Sequence, residues 1–95
     1  MSGGRFQYQQ YILMDIAEEI QHVIDTNDDV SINEWGDRRG RGYSPEVIAK
    51  LQEGVRALRI AHVYAQRADW LLSDDDGEES FLERLEKELE RYGQA

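Results

Sequence analysis

Cysteine is absent from this chain of 95 residues, which excludes disulfides, thiolate metal ligands and thiol nucleophiles. Proline occurs once, at Pro45, so helices elsewhere meet no covalent breaker. No apolar run approaches the ~20 residues that span a bilayer. The opening Met-Ser-Gly-Gly-Arg lacks the apolar stretch of a secretion signal. The expectation is a cytoplasmic protein that does not enter a membrane. Bases are scarce too: 11 Lys and Arg stand against 20 Asp and Glu, a net charge of −9. Such a surface repels nucleic acid and attracts basic protein surfaces, so a basic protein partner is expected and direct polynucleotide binding is not.

The charge is uneven. Residues 1–30 carry −5, residues 31–70 carry +2 and residues 71–95 carry −6. Helical periodicity runs through all three parts. Ile12, Leu13, Ile16, Ala17, Ile20, Val23 and Ile24 share one arc, predicting a helix over about 6–26 that ends at Thr26-Asn27-Asp28-Asp29. Residues 27–44 read as a loop, longer than a compact domain usually needs and therefore either functional or mobile. Ser44-Pro45-Glu46 opens a helix over about 45–72, with Ser44 as cap and Pro45 at the first helical position. After the weak run Ser73-Asp74-Asp75-Asp76-Gly77, a third helix is predicted over about 77–92. Phe81, Leu82, Leu85, Leu89 and Tyr92 form its apolar arc, and its cap is expected from Asp76 with Glu79 or from Ser73 with Asp76.

The fold expected is all-α in one domain: an antiparallel helical hairpin with the third helix folded back. In the central helix Val47, Ile48, Leu51, Val55, Leu58, Ala61, Ala65 and Leu72 form one stripe, while Ile60, Val63, Tyr64, Trp70 and Leu71 point elsewhere. A helix apolar nearly all round must be covered nearly all round. The third helix brings few large apolar side chains, so a homo-oligomer completed through Ile60, Tyr64, Trp70 and Leu71 is expected.

Three constellations bear on chemistry. Glu19 and His22 have the Glu-x-x-His spacing of carboxylate-bridged di-iron bundles, and with His62 they make an alternative metal site. His62 and Asp69 share a face of the central helix, about 10 Å apart by helical rise, and read as a satisfied polar pair or as a buried site for a metal or for proton transfer. Trp35-Gly36-Asp37-Arg38-Arg39-Gly40-Arg41-Gly42-Tyr43 interleaves guanidiniums, glycines and aromatics. Arg forks suit phosphate and the rings can stack, so Arg38, Arg39, Arg41 and Tyr43 make an alternative ligand site. No serine sits in a nucleophile motif or beside an acid–base pair, no catalytic residue is assigned and no cofactor is expected.

Leu51-Gln52-Glu53-Gly54, followed by Ala57-Leu58 and Ala61, resembles the second helix of small phage helical-hairpin proteins that sequester cyclic nucleotide signals, with Leu13-Met14-Asp15 falling in their first. The likeness covers about 20 residues, lacks lysine in the first helix and has no counterpart for the acidic third of the chain. It implies a nucleotide or phosphate sponge using the Arg38–Arg41 loop. The leading expectation from the residues is a non-enzymatic acidic interaction module, by analogy an inhibitor from a phage or mobile element that occupies the nucleic-acid-binding surface of a host protein. Its partner-binding residues are then Asp74, Asp75, Asp76, Glu78, Glu79, Glu83, Glu86 and Glu90.

Overall fold

A computed structural model describes residues 6 and 8–92. Three helices carry the chain: α1 (Tyr11–Asp25), α2 (Pro45–Leu72) and α3 (Glu78–Glu90). Among the described residues the only extended pairing is one antiparallel bridge, Ile32 with Arg38, so the architecture is all-α. The first helix begins later than its apolar spacing suggests. Tyr8 stands at φ 64°, a left-handed conformation that does not continue into a right-handed helix. Its last turn is closed by Thr26, whose hydroxyl donates to the His22 carbonyl at 2.8 Å.

α2 starts where its punctuation places it. Ser44 Oγ accepts the Val47 N–H at 3.3 Å, and Pro45 is the first helical residue. The N-cap of α3 is Gly77, not Ser73 or Asp76. Gly77 has no side chain to cap with, and Ser80 makes the reciprocal bond: its hydroxyl accepts the Gly77 N–H at 3.3 Å and donates to Asp76 Oδ1 at 2.6 Å.

The helices lie side by side with α2 in the middle. Gln10, before α1, donates to Gln66 Oε1 (2.8 Å) and Asp69 Oδ2 (3.0 Å) near the end of α2. Asn27, after α1, exchanges hydrogen bonds with the Tyr43 backbone at 3.0 and 2.8 Å, next to the start of α2. α3 packs on α2 but not on α1. The Cα extents are 53 × 29 × 13 Å, and with α1 and α3 out of contact the three helices form one open layer and not a closed bundle. The radius of gyration is 17.4 Å, against about 12 Å for a compact chain of this length.

A single layer buries little. Ala17, Val55, Val63 and Leu89 are the buried apolar residues among those described. Val47 and Leu72, at the two ends of the α2 stripe, stay 42% and 48% exposed, because α1 has 15 residues to cover a helix of 28.

The long connection is built onto the end of α1. Gly40 N–H donates to the Asp29 carbonyl and Gly42 N–H to that of Asn27, at 2.9 and 3.0 Å. A Cβ on Gly40 would sit 2.3 Å from the Thr26 carbonyl oxygen and 2.6 Å from those of Asn27 and Asp29. Backbone oxygens cannot swing aside as a side chain can. Gly40→Ala is therefore expected to cost about 1–3 kcal/mol, the usual penalty for overpacking, read as a lower urea midpoint with helical content retained below it.

Candidate functional site

The acidic edge of α3 follows from its two-sided pattern. Phe81, Leu85, Leu89 and Tyr92 turn toward α2, while Glu79, Glu83, Glu86 and Glu90 fall within about 60° of one another at 100° per residue, and all four are exposed. Glu83 has Lys87 at 3.9 Å, both side chains about three-quarters open to water, a pairing worth little. Asp74, Asp75 and Glu78 are exposed just before and at the start of α3. Asp74 holds φ 62°, a conformation aspartate tolerates better than most residues.

Asp76 does not belong to that surface. Its side chain is 3% exposed and lies 3.9 Å from Arg67 Nη1 and 3.6 Å from Arg84 Nη1, besides accepting from Ser80. Arg67 in turn sits 2.6 Å from Glu88 Oε1, with its Cζ 4.3 Å above the Trp70 ring. This network ties the Asp74–Gly77 turn and α3 to α2. Arg67 escapes sequence reasoning because one arginine among apolar neighbours reads as a solvated break in the stripe.

The four residues chosen from sequence for self-association separate. Tyr64 is exposed, Ile60 and Leu71 are half-buried where α2 meets α3, and Trp70 lies under Arg67. A different set shares one side of the layer. On α2, exposed Ala57, Ala61 and Tyr64 lie with Gly54 and Ala68 within about 80°. On α1, Ile12 and Ile16, 54% and 43% exposed, lie about 100–140° round from Ala17, which marks the α2 direction. Leu13 beside them shares a cavity with Ala65, whereas Gln21, on the other flank, shares one with Gln52, Arg59 and Arg91. Ile12 and Ile16 thus flank the alanine side of α2. Leu82 of α3, 63% exposed, points about 180° from Arg91 and joins the same side.

The polar end of the layer explains His62 and Asp69. Asp69, 2% exposed, accepts from Gln10 and, at 3.3 Å, from the Phe6 N–H. His62 packs its ring against Tyr11, centroids 5.4 Å apart, and its Nε2 is buried without a partner. Burial pushes its pKa below the ordinary 6.5, against a smaller opposite pull from Glu88. The unfolded chain then binds more protons than the folded one just below pH 6.5. Stability is expected to be complete above that pH and to fall as acidity increases toward the folded value. His62→Gln flattens that slope in thermal melts run from pH 7.5 to 5.

Glu19 and His22 are exposed while His62 is half-buried beside Tyr11. His22 is eleven residues beyond Tyr11 on α1, about 16 Å along the helix, so the three do not converge. Among the described residues no group of three His, Asp or Glu side chains could hold a metal ion.

The arginine loop also diverges. Arg38 turns inward to the carbonyls of Asp29 (3.2 Å) and Asn27 (3.4 Å), and Arg41 meets the Tyr43 hydroxyl at 3.4 Å. Arg39 alone of the three lines a cavity of about 440 Å³ with His22, Trp35 and Asp29. The Asp29 carboxyl is held below its ordinary range first by the Ser31 hydroxyl and N–H, then by the charges of Arg39 and Arg38, and it adds a negative charge to the lining of that cavity. No family model matches this chain, and no curated protein or solved structure matches it either. What its surfaces can do follows from their own geometry. No described helix is long and apolar enough to cross a membrane.

Proposed function

We propose that this chain is a non-enzymatic interaction module that pairs with a second copy through its apolar side and offers the acidic edge of α3 to a basic protein surface. The openness of the layer carries this reading. Its accessible surface is 6862 Å², where a compact chain of 11.1 kDa exposes about 5,700 Å². The excess of roughly 1,200 Å² exceeds the ~800 Å² that each partner buries in a standard interface. Ile12, Ile16, Tyr64 and Leu82 supply the large apolar groups. The alanines and Gly54 between them allow close helix approach, because a Cβ at Gly54 would meet nothing within 4 Å.

The second half of the reading rests on Glu79, Glu83, Glu86 and Glu90 with Asp74, Asp75 and Glu78. Seven exposed carboxylates, four of them on one edge of α3, speed encounter with a basic surface, an effect that weakens with salt. A partner of this kind, such as the nucleic-acid site of another protein, should be captured from native extract at low ionic strength and released as salt rises. The variant Glu79→Lys, Glu83→Lys, Glu86→Lys and Glu90→Lys should lose it entirely while keeping its helical content. Retention of the same protein by that variant would place the docking surface elsewhere.

A further inference from the structure

On the side opposite the apolar face, α1, α2 and the end of α3 border an open-sided cavity of about 390 Å³. Arg56, Arg59 and Arg91 line it together with Gln21, Gln52 and Tyr92, and no acidic side chain does. In a chain of net charge −9 three guanidiniums in an acid-free cavity run against composition. The ion pairs of the described residues go instead to Lys50, Arg67, Arg84 and Lys87.

The three arginines are not equivalent. Arg56 gives its Nε and Nη2 to the Tyr92 carbonyl, which satisfies the end of α3 and fixes the guanidinium with Nη1 to spare. Arg59 Nε is buried and has no hydrogen-bond partner. A buried donor left unpaired costs about 1–3 kcal/mol; because this Nε is closed to water, an acceptor in the cavity relieves that cost only by turning the Arg59 guanidinium toward itself. Arg91, one residue past α3, is exposed at the rim. The three come together because Arg56 and Arg59 are one turn apart on α2 and α3 returns along α2.

We infer that this cavity binds a phosphate-bearing small molecule, its phosphate held among Arg56, Arg59 and Arg91. A carboxylate offers two oxygens and one charge. A terminal phosphate offers three oxygens and close to two charges, matching several guanidinium forks at once. The volume falls in the range of about 300–1,000 Å³ typical of small-molecule sites, which leaves space for an organic part beside Tyr92. The site is independent of self-association, since it opens on the other side of the layer.

Pyrophosphate is the probe, titrated into nitrogen-15-labelled full-length chain while the arginine Nε–H resonances are followed. The Arg59 Nε–H should shift and saturate at sub-millimolar ligand. Arg59→Gln and Arg91→Gln should each weaken binding by about tenfold or more, and Arg39→Gln, in the separate loop cavity, should leave it unchanged. Arg91 is exposed, so its variant stays informative if Arg59→Gln fails to fold. No saturable shift at millimolar pyrophosphate overturns the assignment. Binding lost with Arg39→Gln but kept in Arg91→Gln does the same, and so does an equal response to citrate.

Discussion

Arg67→Ala is expected to lower the free energy of unfolding by about 3 kcal/mol, at the low end of what breaking a buried ion pair costs. The low end applies because Glu88, its nearer partner, keeps 32% of its side chain in water. Asp76 has no such outlet at 3% exposure and would retain one cation, Arg84 at 3.6 Å, beside the Ser80 hydroxyl. The cation above the Trp70 ring would vanish as well. Chains of this size hold only about 5–15 kcal/mol in total, so the urea midpoint should fall by a large fraction. Arg67→Met combined with Glu88→Gln should recover part of the loss, because it strands fewer charges. If Arg67→Ala matched the parent in urea, the Asp76 network would not be what holds α3 to α2.

Ile16→Asp is the second large effect. Sedimentation of the parent should show a two-copy species, and the variant should run as one copy at the same concentration. A charge placed in a desolvated interface costs upward of about 2 kcal/mol, or some 30-fold in affinity. The fold itself should survive, because Ile16 is already 43% exposed in a lone chain. Tyr11→Gln, on the opposite side, should leave the association unchanged. A parent that sediments as one copy at high concentration would remove the pairing reading, and the acidic edge would then have to act alone.

These two experiments probe features that differ in how far the residues announce them. The isoleucines of α1, spaced at helical intervals, declare both a helix and an apolar arc, and Ser44-Pro45 declares where α2 begins. Which part of the arc is covered is not declared. Ala17, one turn past Leu13, meets α2, while Ile12 and Ile16 remain open. The cause is that α3 packs on the far side of α2, leaving nothing above the layer. Likewise Asp74, Asp75 and Asp76 look alike in sequence. Only Asp76 is turned inward, because Ser80, Arg67 and Arg84 come within reach of it.

Local sequence therefore determined what depends on interactions within one or two turns: three helices, the Ser44-Pro45 start of α2 and the glutamate face of α3. The tertiary structure alone decided that the helices form one open layer, that Asp69 and Asp76 are interior, and that Arg56, Arg59 and Arg91 share a cavity. Those outcomes join residues up to 63 positions apart, as Phe6 and Asp69 are. Periodicity and capping act over a handful of residues, whereas the choice of neighbour is made by packing and charge across the whole chain.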